Sequence, residues 1–407
     1  MLNASDYQAP AELKRWGTLA LGVGGICAII VLGAMFFPQA RETALRAWLL
    51  GFVFACGLGV GGLGILHLQY LTGGAWGVVI RRIVEACSRT IPYLAVLFIP
   101  IAAAVLTHNL YEWTHLQDDA VIAHRGWYLT AGGFVVRAFI YFLLWYIMQR
   151  LLNQWSASQD QAADYEESAR WLGTATAFSG PSLVIFVLVV SFATIDWTMT
   201  LDPHWFSTIW GFLYVAGWAL SCFSFSVVIL AYLSDKAPLN RILGKRHFHD
   251  IGKLMLALVM VWAYFNFSQF LIIWSGNIPE ETVWFLARMQ NGWGWIGLIL
   301  ILFHFAFPYL ILLSRDLKRN AKYLALMAGF ILFMRIVDVF YHIAPSPSAV
   351  PGAHQPHFDA TWILYLLGPL AVGGIWLSFF FSELAKRPLV PVKDPFLENA
   401  IEHGKGH

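Results

Sequence analysis

The run FILFMRIVDVFYHIAP sets Arg335, Asp338 and His342 at i, i+3 and i+7 in an otherwise apolar stretch. On an α-helix that spacing brings the three within about 60° of one face. A base, an acid and an imidazole so placed could relay a proton or contact a quinone. They could equally be an internal ion pair plus an interfacial histidine that fixes helix packing. An ionisable group inside a membrane span costs at least about 2.5–3.5 kcal/mol on insertion scales, so it should turn inward and take a partner.

Other polar residues raise the same question. In VVRAFIYFLLWY, Arg137 stands one turn before Tyr141 with no acid near it in sequence. Its partner must come from elsewhere: Asp196, Glu112 or a lipid phosphate. His67 ends the glycine-rich stretch GLGVGGLGILH, where Gly57 and Gly61 form a small-xxx-small pair that lets a second helix approach closely. A lone histidine there is expected to be a hydrogen-bonded packing residue. His304, in ILFHFAFPYL, lies four residues before Pro308, whose missing amide frees the His304 carbonyl, so a kink with a polar lining is expected. Asn266 and Gln269 share a face in WAYFNFSQFLIIW and are expected to bond across helices.

Several chemistries find no residues. Cys27, Cys56, Cys87 and Cys222 are far apart, with no CxxC or CxxCH, which argues against c-type haem and against an iron–sulfur cluster held by this chain alone. His67 and His304 occur once per helix, without the matched pairing that haem b needs. No phosphate loop, nucleophile elbow or HExxH occurs. The reading is therefore no cofactor bound by this chain alone, with quinone or quinol and phospholipid as the lipid-borne ligands to consider.

The elements that must position these residues are membrane helices. Charged residues make up 12% of the chain, hydrophobic ones 58%, and mean hydropathy is +0.62, a balance that suits lipid as solvent. Apolar runs near twenty residues recur at 16–37, 45–70, 90–107, 129–151, 179–197, 206–233, 254–275, 293–314, 321–342 and 360–382, each about long enough to cross a bilayer. The fold class read from this is an all-α integral membrane protein of about ten transmembrane helices. Of the 26 Lys and Arg, 20 fall on one set of alternate loops and 4 on the other, with Arg137 and Arg335 inside spans. That asymmetry predicts both termini in the cytoplasm and an even number of spans. The net charge of +2 is dispersed and argues against nucleic acid.

Connections carry their own signals. Asp202–Pro203 suits an N-cap and first helical position for the sixth span, and Pro279 with Glu280 and Glu281 suits a helix start. The polar segment 156–175 reads as a cytoplasmic connector or surface helix. The proline-bearing tail from Pro388 reads as extended against a neighbour. The N-terminus reads as a retained anchor. Trp197, Trp205, Trp210, Trp274, Trp284, Trp293 and Trp295 gather on the outer side, a belt suited to a large periplasmic partner. On this map the Arg315–Lys322 and His354–His357 turns face opposite sides.

Three long stretches carry a resemblance: SFATIDWTMTLDPHWFSTIWGFLYVAG at 191–217, HDIGKLMLALVMVWAYFNFSQFLIIWSGNIPEETVWFLAR at 249–288, and FHFAFPYLILLSRDLKRN at 303–320. With RIVDVFYHIAP they resemble the ActF family, membrane subunits of alternative complex III, a bacterial quinol-oxidising respiratory assembly. The glycine-rich second span and GGAWGVVIRRIVEA at 73–86 are similar to the NrfD-type quinol-binding membrane fold. The resemblance implies two NrfD-like four-helix bundles, 45–197 and 198–345. These would follow an N-terminal segment and first helix at 1–44 and precede an outer loop and last helix at 346–387 and a tail at 388–407. It also implies a bacterial inner-membrane location and partners: a second NrfD-like subunit, an iron–sulfur protein, c-type cytochromes and small membrane subunits. In that family electrons leave quinol beside the iron–sulfur protein, and the ActF bundles sit farther away, so proton movement and assembly are roles as well supported as quinol oxidation. On that view Arg335, Asp338, His342, Arg137, Tyr141, His304, His67 and Asp196 line polar paths. The alternative is a secondary transporter, which would stand alone and unwind its helices near midplane.

Overall fold

In hydrocarbon a backbone amide has no water to bond, so an apolar run satisfies its peptide groups internally by forming a helix. The computed structural model, which describes residues 8–116, 118–349 and 360–405, has ten helices long and apolar enough to cross a membrane among those residues. They run Glu12–Ala34, Pro38–Thr72, Ala75–Leu106, Ala131–Gln161, Tyr165–Leu201, Trp210–Leu233, Lys245–Gly276, Trp293–Leu313, Ala321–Ile343 and Ala360–Leu384. The chain is an all-α multi-pass membrane protein. The His354–His357 turn lies outside the described residues.

Packing centres on the second and sixth spans, which are buried along most of their length. The second packs on the third and fifth, the sixth on the seventh and ninth, and the two meet each other. The fifth span crosses to the sixth and the ninth crosses to the second, a reciprocal arrangement. Glycines permit the central contact. A Cβ on Gly57 would come within 2.8 Å of the Trp218 ring, and one on Gly61 within 2.7 Å of the Trp218 carbonyl. The first and tenth spans pack together along the second.

The start of helix Glu12–Ala34 and the helix Leu397–Lys405 lie on one face. Near the first, Glu12 pairs with Lys236 from the connection after the sixth span. Near the last, the His247 ring Nε2 lies 2.9 Å from the Ala400 carbonyl, and His403 pairs with Asp250 at 2.7 Å.

Four sequence expectations are corrected. Segment 156–175 is not a connector: the fourth and fifth spans run on through it to Gln161 and from Tyr165, and Asp164 caps the latter by accepting the Glu167 amide at 2.8 Å. Its polarity reflects partners inside the protein, described below. The third span begins at Ala75 and bends at Thr90 and Phe98, each followed two residues on by a proline, so Arg81, Arg82 and Arg89 are helix residues and not loop residues. Asp202 does not cap the sixth span, which starts at Trp210; its carboxylate is taken up by Arg288 and Ser346. The tail is not extended throughout: Leu397–Lys405 is a helix whose Leu397 and Ala400 pack on Val78 of the same chain. The helix Pro279–Met289 does start as read, with proline at its first turn and Glu280 and Glu281 beside it.

Candidate functional site

The ninth span brings Arg335, Asp338 and His342 together, at 2%, 1% and 3% exposure. The Arg335 guanidinium donates to Asp338 Oδ2, which also accepts from the Trp262 indole of the seventh span at 3.3 Å. His342 Nε2 lies 4.0 Å from Asp338 Oδ1, and its Nδ1 lies 3.2 Å from the Tyr214 hydroxyl of the sixth span. Arg335 fits because residue 217 is glycine: a Cβ there would collide with the guanidinium. The result is a polar row, Arg335–Asp338–His342–Tyr214, between the sixth, seventh and ninth spans, with a 4.0 Å step between Asp338 and His342.

His304 reaches this row from the eighth span. Leu300–Ala306 is a π-helical turn, which is how the helix accommodates Pro308, and it carries the fully buried His304 ring to 4.0 Å from the Trp262 ring. Among the described residues, neither His304 nitrogen has a hydrogen-bond partner. Of the predicted amide pair, Gln269 crosses to accept from Ser207 at 2.8 Å, while Asn266 bonds the Trp262 carbonyl of its own helix.

Arg288, from the helix that precedes the eighth span, closes the His342 end of the row. It donates to the His342 carbonyl at 2.9 Å, the Tyr341 carbonyl at 3.1 Å and Asp202 at 3.3 Å, and it stacks 3.8 Å from Trp284. Burial pulls its pKa below the ordinary guanidinium value, against the opposing pull of Asp202. Ser346 donates to the same Asp202 oxygen at 2.7 Å.

The fourth and fifth spans carry a counterpart. Among the three partners considered for Arg137, the fold selects Asp196: a two-pronged contact of 2.8 and 3.1 Å, with the Tyr141 hydroxyl donating to the same carboxylate at 2.9 Å. The Arg137 guanidinium also stacks 3.7 Å from the Tyr128 ring. Tyr128 precedes the span, and burial, then the Asp196 charge, raise its phenol well above the ordinary range. A cavity of about 350 Å³ opens beside it, lined by Arg125, Trp127, Met199, Trp205 and Phe206 among others. Asp196 and Asp338 each stand near the C-terminal end of their span, the fifth and the ninth. His67 sits apart from both, its Nδ1 3.4 Å from Ser179 and 3.2 Å from Ser182 on the fifth span.

Sequence reading missed a third cluster, on the face that carries the Leu397–Lys405 helix. Arg82 contacts Glu85 at 2.8 Å, Asp160 at 2.5 Å and Ser156 at 3.0 Å. Arg81 meets Asp394 of the tail at 2.5 Å and Gln159 at 3.1 Å, and Arg89 meets Glu383 at 3.1 Å and Asn153 at 2.8 Å. Arg387 approaches Glu85 at 3.5 Å. The signal was the spacing of Arg81, Arg82, Glu85 and Arg89, which shares one helical face. Treating the arginines as loop charges hid it. Among the described residues, no three His, Cys, Asp or Glu side chains converge as a metal site would require. The chain matches no protein-family model and no curated protein sequence.

Proposed function

We propose that this chain is a membrane subunit of a respiratory quinol:cytochrome c oxidoreductase of the alternative complex III type, seated in a bacterial inner membrane with both termini in the cytoplasm. Its part is in proton movement and assembly that accompany quinone-linked electron transfer, with the redox centres on partner subunits: an iron–sulfur protein and c-type cytochromes.

The observation that carries this reading is the pair of buried carboxylates, one per bundle. Asp338 is held by Arg335 beside His342 and Tyr214, and Asp196 by Arg137 beside Tyr141. In each, a carboxylate fixed by an arginine stands within 4.0 Å of a group able to give or take a proton, and Tyr128, which lines the first cavity, interacts with Asp196. The stretches at 191–217, 249–288 and 303–320 support the family, and the loop asymmetry supports the orientation.

Native purification with subunit identification is the test. Cytochrome and iron–sulfur subunits are expected to accompany the chain, and the chain separated from them is expected to lack a Soret band. Elution of the chain alone, with substrate uptake in proteoliposomes, would instead establish the transporter reading. That reading draws on the bent third span and the π turn of the eighth.

A further inference from the structure

A second cavity, of about 440 Å³, opens on the face that carries the Leu397–Lys405 helix, between the fourth and fifth spans and the start of the tail. Its walls include Gln154, Trp155, Ser158, Gln161, Trp171 and Arg387. Three features give it the chemistry of an anion site at headgroup depth. No carboxylate is among its lining residues, whereas Arg387 lines it with 21% of its side chain exposed. Exposed Arg150 stands one turn before Gln154, and exposed Arg170 is next to Trp171. Gln154, Ser158 and Gln161 add uncharged donors along one side.

Depth follows from the helix rise. The apolar run of the fourth span ends near residue 151, and at about 1.5 Å per residue Trp155 stands roughly 6 Å beyond it. Trp171 precedes the apolar run of the fifth span and lines the same groove as Trp155, whose ring packs edge-on against Phe178. This is the level where indoles bridge acyl chains and headgroups. A soluble anion would need no such aromatic wall, whereas a lipid would use both the cation and the indoles.

We propose that this groove binds the phosphodiester headgroup of an anionic phospholipid. Arg387 carries the charge recognition, Gln154, Ser158 and Gln161 bond the phosphate or glycerol oxygens, and Trp155 and Trp171 cover the glycerol–acyl junction. Arg387 already donates to the Asn153 carbonyl at 2.9 Å, so the bound lipid would tie the tail to the fourth span.

The test is native mass spectrometry of the full chain in detergent, titrated with phosphatidylglycerol, phosphatidylcholine or inorganic phosphate. One phosphatidylglycerol is expected to be retained per chain, with phosphatidylcholine held several-fold more weakly. Arg387→Gln should lower phosphatidylglycerol retention about fivefold. Because that change also removes a contact to Glu85, the surface variant Gln154→Leu/Gln161→Leu, expected to lower retention several-fold with an unchanged melting temperature, decides the matter if Arg387→Gln does not fold. Equal retention of the two lipids, retention by the glutamine variant equal to that of the unaltered chain, or displacement by inorganic phosphate would each overturn the proposal. The first two would mean unspecific annular lipid and the third a site for soluble phosphates.

Discussion

Arg335 and Asp338 are each buried almost completely, and each is the other's compensation. Removing one charge of such a pair leaves its partner unpaired, at about 3–5 kcal/mol. Asp338→Asn is therefore expected to lower the thermal stability of the purified protein by that order and, on the proposed function, to abolish quinol-driven proton release in the assembled complex. Replacing both partners, Arg335→Met with Asp338→Leu, should recover most of the stability without recovering proton release, because a well-packed apolar pair can substitute for a buried ion pair but carries no proton. If the double variant releases protons normally, the pair is structural and the relay reading fails. Arg137 is less enclosed, with 19% of its side chain exposed, and it keeps its stacking on Tyr128. Asp196→Asn should thus cost less, about 1–3 kcal/mol, in the same melting assay.

Helix against helix, the closest approaches depend on what glycine lacks. At the crossing of the second and tenth spans, Gly51 and Gly368 face each other's backbones, and a side chain on Gly368 would run into the Ala47 carbonyl. Gly368→Val is expected to prevent accumulation of folded protein. Gly22→Val, at a position with open space around it, should change the melting transition by no more than about 0.5 kcal/mol equivalent. The tail behaves as a strap. Asp394 neutralises buried Arg81, Lys393 donates to the Ala162 carbonyl between the fourth and fifth spans, and the Leu397–Lys405 helix lies on the third and seventh. Truncation after Pro388 should destabilise the chain by about 3–5 kcal/mol through Arg81 alone and speed proteolysis of the connection at 162–164. Equal melting and proteolysis of full and truncated chains would show that the tail is an appendage.

For the molecule as a whole the claim is a map of sides. Cys56, Cys87 and Cys222 are fully buried and Cys27 nearly so, which leaves single engineered cysteines readable by impermeant reagents. Arg315→Cys and Lys236→Cys are expected to react from one side of inverted vesicles, and Trp127→Cys, at a residue 85% exposed, only from the other. Labelling of positions 315 and 127 from the same side would invalidate the ten-span map. The two ends of the molecule also differ in kind. One end is closed by Arg288, Asp202 and an aromatic stack of Trp205 on Trp284 at 4.9 Å, the end that carries the Leu397–Lys405 helix by arginines and carboxylates.

The sequence by itself determined the ten helices and their alternation across the membrane, because an apolar run in lipid has only one way to satisfy its own backbone and positive loops resist translocation. It also determined that Arg335, Asp338 and His342 share a face, since they are spaced on one helix, and that Gly57 and Gly61 admit a neighbour. Only the tertiary structure chose between Asp196, Glu112 and a lipid phosphate for Arg137, turned Asp202 from a cap into a partner of Arg288, and brought Tyr214, Trp262 and His304 to the ninth span. It alone folded the tail back to place Asp394 on Arg81. Those partners lie dozens to hundreds of residues apart, and one-dimensional spacing carries information only as far as a single helix keeps its phase.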